Sequence, residues 1–344
     1  MERIRLIRKL MALLVLLLVP GCSPSVQPDR VHLPAGTVRL DGDPWAGYAY
    51  FRDPRFLQPG VDYKYDTELD QAIRARKMVE GEINFLVTTI DQVQANRPNG
   101  RIVGVIDESL GADALVLNTK KHGYLTRVDA LPRLVEECRQ EGRKPVLAYT
   151  GNSPSDFLLR KLSNTREELR LLDYELKSVD QSSTAYKMLQ DNTADVAVLW
   201  EPDTTAAAKA GYTVALSSKD VPHSIVDVLV ASNRVVAEQP SLVQKVVDGL
   251  YKARRDALAD PAAFTAYIAK DGQLENEQAA QLLKGIHLFD LREANDFMNK
   301  TTAPLDQTPA FEALESISAL LSLNDPTIVA SPDLLDGRFV AAHP

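Results

Sequence analysis

The chain has 344 residues, of which 45% are hydrophobic, 25% charged and 6% aromatic, and its formal charge is −8. This length exceeds what one core usually holds, so we expect two lobes, and the apolar content excludes a disordered chain. The acidic excess is spread along the chain without a basic face, which argues against a nucleic-acid partner. Two cysteines, Cys22 and Cys138, are too few for a disulfide framework or a four-ligand zinc site.

Residues 1–21 are typical of a signal peptide. A basic start precedes an uncharged, leucine-rich run at 10–19, which is shorter than the about 20 residues that a membrane-spanning helix needs. Val19-Pro20-Gly21-Cys22 follows and resembles a bacterial lipobox, in which a lipid is attached to the cysteine. The alternative is an ordinary secretory signal with an incidental cysteine. The basic residues are Arg3, Arg5, Arg8 and Lys9.

A proline-bearing segment at 22–35 separates Cys22 from the body of the sequence. It has few apolar residues, so we interpret it as a linker between the lipid and the fold. The folded part is predicted to begin near Gly36. We therefore expect an exported protein that is anchored to the membrane and faces the periplasm or the cell exterior.

Strands and helices alternate through the body. Alternating or continuous apolar runs predict strands at 37–40, 61–65, 83–87, 102–106, 114–117, 145–149, 175–179, 195–199 and 225–231. Apolar residues at helical spacing predict helices at 68–79, 131–140, 157–162, 184–190, 242–258, 262–269, 277–283 and 311–321. Beyond residue 231 we expect only helices. This alternation indicates parallel sheets with covering helices, followed by a helical tail.

Three loops at predicted strand ends carry the candidate binding groups, because ligands of open α/β sheets bind beyond the carboxyl ends of strands. The loop with Trp45 and Tyr48 offers an aromatic wall and two hydrogen-bond donors, although Trp45 is alternatively a cap on the core. The loop with Ser153 and Ser155 opens a helix whose free amides favour an anion, although simple capping explains it equally. Its Asp156 occupies part of that positive end itself.

Glu201 lies at the third of these strand ends, between Trp200 and Pro202. Its carboxylate would hold an amine, a ring N–H or a hydroxyl of a ligand. The alternative is a solvated glutamate beside a packed tryptophan.

Catalytic motifs are missing from the sequence. The five histidines are scattered, and there is no nucleophile elbow, phosphate-binding loop or dinucleotide fingerprint. Cys138 lies in a helical context and is expected to be packed or idle. The sequence therefore argues against an enzyme and predicts neither a cofactor nor a metal.

The order of these motifs resembles the substrate-binding proteins of ABC importers, in the branch for nitrate, sulfonates, taurine and thiamine-pyrimidine precursors. The similar segments cover about residues 37–260, and they are Trp45-Ala-Gly-Tyr48, Gly81-Glu-Ile-Asn-Phe85, Ser109-Leu-Gly-Ala-Asp113, Ser153-Pro-Ser155, Trp200-Glu-Pro202 and Ile225-Val-Asp-Val-Leu-Val230. One departure is the segment after Tyr48, which lacks the long helix that the family has there.

The resemblance implies an α/β fold of the type II periplasmic-binding-protein class, with two doubly wound lobes, a cleft between them and a helical C-terminal tail. Residues 36–117 and 225–344 would form the first lobe and 118–224 the second, with crossings near 117–120 and 224–232. The predicted ligand-binding residues are Trp45, Gly47, Tyr48, Thr88, Thr89, Asp113, Ser153, Ser155, Asp156, Glu201 and Asp227.

The resemblance also implies the partners. A small polar organic or anionic solute, such as a sulfonate, nitrate or taurine, would bind in the cleft, and an ABC permease would receive it. The lipid bilayer would be a partner through Cys22. The alternatives are a thiamine-pyrimidine precursor, a phosphate or phosphonate, a sensory lipoprotein without transport, and an exported enzyme on the same fold.

Overall fold

The structure is a computed structural model that describes residues 31–53, 56, 60–302 and 306–341. The predicted signal peptide, Cys22 and the linker up to residue 30 lie outside the described residues. No helix in the described ranges is both long and apolar enough to cross a membrane.

Eleven strands in the described part of the chain form two sheets. The first sheet contains β1 (Thr37–Gly42), β2 (Asp62–Thr67), β3 (Phe85–Thr89), β4 (Gly100–Ser109), β10 (Val226–Ser232) and β11 (Ile286–Leu288). The second contains β5 (Asp113–Leu117), β6 (Val146–Thr150), β7 (Glu175–Val179), β8 (Val196–Trp200) and β9 (Thr213–Ser217). The spatial orders are β11-β4-β10-β3-β1-β2 and β7-β6-β8-β5-β9.

Helices connect and cover these strands. Residues 46–52 form a short 3-10 helix after β1. Asp70 caps the helix at 71–80 by accepting from two backbone amides, and Ser153 caps the helix at 154–165, which has Pro154 at its start. The α-helices are α1 (Gln71–Glu80), α2 (Ile90–Asn96), α3 (Leu131–Gln140), α4 (Pro154–Thr165), α5 (Ser182–Gln190), α6 (Asp203–Lys209), α7 (Asn233–Glu238), α8 (Pro240–Ala259), α9 (Pro261–Asp271), α10 (Asn276–Lys284), α11 (Leu291–Asn299) and α12 (Pro309–Leu321).

Each sheet is mixed rather than wholly parallel, which corrects the sequence-based expectation. In the first sheet β10 runs antiparallel to both β3 and β4, and in the second β5 runs antiparallel to both β8 and β9. These two strands enter directly from the other sheet without a covering helix. The chain passes between the sheets on the side where they face each other. A strand that enters from the other sheet therefore runs away from this side, while the strands reached through helical crossovers run towards it.

The first crossing between the sheets lies at residues 110–112, between β4 and β5. The expected crossing near 117–120 is therefore wrong, and residues 113–117 belong to the second sheet rather than the first. Residues 218–225 make the return, between β9 and β10, so the expected second crossing near 224–232 is also wrong, because residues 226–232 form β10 itself. The expectation of helices alone beyond residue 231 is also wrong, because β11 pairs antiparallel with the end of β4.

Separate hydrophobic cores support the two sheets. Phe85, Val105 and Leu229 belong to the core of the first sheet, which the C-terminal helices extend. In the second sheet Leu115 and Val116 belong to different clusters, because successive side chains of a strand point to opposite faces. Both sheets are therefore packed on two faces, and their polar groups collect at the strand ends.

Candidate functional site

A cleft of about 860 Å³ lies where the strand ends of the two sheets meet. This volume is within the range of small-molecule sites. The first sheet and its helices contribute residues that include Asp43, Trp45, Tyr48, Thr89 and Asp227. The second contributes residues that include Asp113, Thr150, Ser153, Asp180, Trp200, Glu201 and Asp203.

Seven of the eleven predicted binding residues line this cleft, and four do not. Those that line it are Trp45, Tyr48, Thr89, Asp113, Ser153, Glu201 and Asp227. The four that lie elsewhere are Gly47, Thr88, Ser155 and Asp156.

Local geometry explains each of these four. Gly47 packs against Asp107, and a Cβ at residue 47 would lie 1.9 Å from its Oδ2. Thr88 is buried and its hydroxyl donates to Gln71 Oε1 at 2.8 Å. The side chain of Ser155 is buried in the first turn of α4, and the Asp156 carboxylate accepts from Arg160 Nε at 2.9 Å.

Two arginines hold the loop after β1 in place. Arg74, which is fully buried on α1, donates to Asp43 Oδ2 at 3.1 Å and to the Val87 carbonyl at 2.8 Å. Arg52 donates to the Trp45 carbonyl at 3.1 Å from two guanidinium nitrogens. The loop therefore presents Trp45 on a rigid support rather than on a free turn.

Beside this loop lies a buried acidic cluster, which consists of Asp107, Asp227 and the Tyr48 hydroxyl. The Trp45 indole N–H donates to Asp107 Oδ1 at 3.3 Å, and the Tyr48 hydroxyl donates to Asp227 Oδ1. Burial raises the pKa of Asp107 to about 7, although the hydrogen bond from Trp45 opposes the rise. Burial and then the charge of Asp107 raise the pKa of Asp227 well above its usual range. The cluster therefore retains a proton at neutral pH.

Asp113 begins β5 directly after the first crossing. It accepts from the Ser109 hydroxyl at 2.6 Å, and Ser109 Oγ lies 2.9 Å from Ser218 Oγ in the second crossing. Burial raises the pKa of Asp113 to about 7, and the charges of Asp91 and Glu201 add to the rise. A polar network at the crossings thus contains a carboxyl group that lines the cleft.

Glu201 lines the cleft and also anchors the start of α6. Its two carboxylate oxygens accept from the Thr205 hydroxyl at 2.7 Å and the Thr205 amide at 3.2 Å. Burial raises the pKa of Glu201 despite these bonds, and burial likewise raises the pKa of Asp203. The carboxylate is therefore buried and hydrogen-bonded, not solvated.

Carboxyl groups predominate among the charged side chains of the cleft. Among the described lining residues there are eight carboxylates and one basic side chain, Arg52. Sequence reasoning missed five of the eight, although Asp43, Asp180 and Asp203 also follow strand ends, and that signal would have found them. The eight are Asp43, Asp70, Asp113, Asp180, Glu201, Asp203, Asp227 and Asp271.

The side chains of the lining are carboxyl, hydroxyl, amide, aromatic and aliphatic groups and one guanidinium. Within the described ranges the lining includes no cysteine, histidine or lysine. Cys138 is buried in the core of the second sheet. The described residues also contain no group of three or more His, Cys, Asp or Glu side chains arranged to hold a metal ion. The groups present can bind a solute through hydrogen bonds, charge and aromatic contact.

Comparisons with known proteins identify the fold. No protein-family model matches the chain, and no curated protein matches it. Among solved structures the chain is similar to the alkanesulfonate-binding protein SsuA from Xanthomonas axonopodis pv. citri bound to MOPS. The TM-score is 0.64 and the identity 14%, over 88% of this chain and 98% of that chain.

Two further structures show the same similarity. The periplasmic aliphatic sulphonate binding protein SsuA from Escherichia coli has a TM-score of 0.63 and 14% identity, over 87% of this chain and 95% of that chain. The desulfurization enzyme DSZB has a TM-score of 0.59 and 15% identity, over 88% and 97% respectively. The chain thus has the two-lobed α/β fold of the periplasmic binding proteins, and the fold class predicted from the sequence is confirmed.

Proposed function

We propose that this chain is an exported solute-binding protein that captures a small polar organic solute between its two lobes and delivers it to an ABC permease. The observation that carries the proposal is one cleft lined by strand ends of both sheets, which two short crossings join. A solute that contacts both lobes stabilises their closed arrangement, and a permease then distinguishes the loaded protein from the empty one.

The identity of the solute is narrowed by charge. The names of the sulfonate-binding fold neighbours support a sulfonate or taurine, and the sequence resemblance adds nitrate and a thiamine-pyrimidine precursor. A plain anion such as nitrate or phosphate is disfavoured, because the one basic side chain of the described lining, Arg52, is bonded to Asp271. A sulfonate that also carries a positively charged group fits this lining better than a plain anion does.

Lipid anchoring through Cys22 is part of this proposal and rests on the sequence alone. Two signals support it, the leucine-rich run and the Gly21-Cys22 junction. Cys22→Ala should release the protein into the soluble fraction or leave it uncleaved. A Cys22→Ala protein that matures normally and stays with the membrane would show that the cysteine is not lipidated.

An exported enzyme is the second candidate, because the desulfurization enzyme shares the fold. Its acid–base or nucleophilic chemistry would require a reactive pair in the cleft. The described lining residues provide carboxyl and hydroxyl groups but no cysteine, histidine or lysine, and the Ser153 hydroxyl is bonded within its own turn to the Thr150 carbonyl at 2.8 Å. This arrangement favours reversible binding.

Two measurements separate these functions. Titration with the true solute should give one reversible site with no product after prolonged incubation, and the detergent-solubilised protein should capture a permease with its ATPase. Turnover of the solute would establish the enzyme. Capture of a membrane-bound kinase in place of a permease would establish a sensory lipoprotein.

A further inference from the structure

The acidic lining of the cleft is not balanced by the protein itself. Arg52 Nε donates to Asp271 Oδ2 at 2.9 Å. The one basic side chain among the described lining residues is therefore already paired. Arg74 reaches Asp43 from behind the loop, but it is fully buried and does not line the cleft. The other six carboxyl groups of the lining have no basic partner among the described residues.

These carboxylates belong to both lobes. In the first lobe Asp70 caps α1, and in the second Asp180 follows β7 and Glu201 follows β8. Like charges that face each other across a narrowing, water-poor space repel strongly. A positive group between them would remove this repulsion and make closure favourable.

A second observation points to a ligand with hydrogen-bonding groups. Thr150 ends β6, lines the cleft and is 5% exposed. Its hydroxyl has no hydrogen-bond partner within the part of the chain that the structure describes. Buried hydroxyls are rarely left unpaired, and a hydroxyl both donates and accepts, so a ligand with an N–H donor or an oxygen acceptor would satisfy this one.

We infer that the solute carries a protonated amine, which carboxylates of both lobes bind and to which the Thr150 hydroxyl contributes an acceptor. This inference rests on the proposed function, because it names the solute class of the same cleft. A protonated amine supplies both a positive charge, which the carboxyl-rich lining does not balance, and N–H donors for its oxygen acceptors. A sulfonate or an alcohol without an amine supplies neither.

Matched pairs of probes test the inference, each pair differing in the amine. Taurine is compared with ethanesulfonate, and 1,4-diaminobutane with butane-1,4-diol, by calorimetric titration at pH 8. We expect an amine-bearing probe to bind at one site, about tenfold or more tightly than its partner without the amine. Equal or tighter binding of ethanesulfonate or the diol would overturn the inference, and so would binding of none of the four.

Variants of the cleft assign the binding groups. Asp113→Asn should weaken binding of the amine probe about tenfold or more, whereas Asp256→Asn should leave it unchanged. Asp256 is a matched control, because it is an exposed carboxylate on α8 that pairs with Lys252 and does not line the cleft. Unchanged affinity in Asp113→Asn would overturn the assignment of this carboxylate, provided that circular dichroism shows a folded variant.

Thr150→Val keeps the test valid even where a carboxylate variant fails to fold. The hydroxyl has no partner to lose among the described residues, so thermal stability should be retained while affinity for the amine probe falls severalfold. Unchanged affinity would remove Thr150 from the site. Permease capture is measured separately, so its success beside a failed amine test would leave the proposed function standing and overturn this inference alone.

Discussion

Asp107 on β4 and Asp227 on β10 stand directly opposite each other on antiparallel strands, and both carboxyl groups are buried. Opposed like charges destabilise a strand pair, and burial adds the cost of removing each charge from water. The Trp45 indole and the Tyr48 hydroxyl each donate to one member of the pair. The loop that lines the cleft therefore also holds the acidic pair. The protonation of Asp107 and Asp227 thus depends on the position of this loop.

The first prediction concerns the pH dependence of stability. Burial raises the pKa of Asp107 to about 7 in the folded state, against about 3.9 for an unperturbed aspartate. The folded state therefore binds this proton more tightly, so the stabilisation is complete below about pH 4 and is lost as the pH rises through 7. The free energy of unfolding of the wild type should fall between pH 5 and pH 8.

Asp107→Asn provides the measurement. The amide is neutral at every pH. Between pH 5 and pH 8 the free energy of unfolding of the variant should therefore rise, relative to that of the wild type, by on the order of 1–3 kcal/mol. Urea unfolding at the two pH values measures this difference. Asp256→Asn, on the exposed side of α8, should follow the wild-type profile. A wild type that becomes more stable towards pH 8, relative to Asp107→Asn, would contradict the prediction.

The second prediction concerns Gly47, which does not line the cleft but supports it. A Cβ at residue 47 would lie 1.9 Å from Asp107 Oδ2 and 2.9 Å from Trp45 Nε1. Gly47→Ala should therefore displace the Trp45 loop, lower stability by roughly 1–3 kcal/mol and weaken solute binding. Gly123→Ala is the control, since a Cβ there meets nothing within 4 Å. Equal effects of the two variants on stability and affinity would show that the Gly47 contact does not constrain the loop.

The positions of the strands were largely predictable from the sequence, but their sheet membership was not. Residues 114–117 form an apolar run that fits either sheet. Its place is fixed by pairing with two strands far along the chain, where Ala114 lies opposite Leu199 of β8 and Ser217 of β9. Local periodicity carries no information about such partners, so the first crossing was predicted several residues too late.

The candidate site was likewise only partly predictable from the sequence. Trp45, Ser153 and Glu201 were found because each lies at a strand end, and the strand ends of both sheets border the cleft. Ser155 and Asp156 follow Ser153 closely, but the turn of α4 directs them elsewhere. The number of carboxyl groups in the cleft was not predicted, because the fold brings together residues that follow β7 and β8 and one residue of α9.

The third prediction links binding to proton release. Burial raises the pKa of Asp113 to about 7, so its ionised fraction rises from about a tenth at pH 6 to about nine tenths at pH 8. The amines of 1,4-diaminobutane stay protonated over this range, because alkylammonium groups resemble lysine in pKa. Its affinity should therefore rise roughly tenfold from pH 6 to pH 8. Titrations in two buffers of different ionisation enthalpy should show net proton release near pH 7.

Asp113→Asn should flatten this pH profile, because the amide cannot ionise. Ser183→Ala is a suitable comparison, since it changes another residue of the lining without removing a carboxylate. A profile in Asp113→Asn as steep as that of the wild type would assign the proton release to other carboxyl groups.

The last prediction uses the two tryptophans of the chain, Trp45 and Trp200. Both line the cleft, and they stand on different sheets, since Trp45 follows β1 and Trp200 ends β8. Closure around a solute should change the water exposure of the rings, so intrinsic fluorescence should shift and saturate as for one site.

Trp45→Phe should weaken binding more than Trp200→Phe, because it also removes the indole N–H that donates to Asp107 at 3.3 Å. The loss should be roughly five- to a hundredfold in affinity. Trp45→Ala with wild-type affinity would remove this loop from the site, whereas equal losses in the two Phe variants would show that the bond to Asp107 contributes nothing to binding.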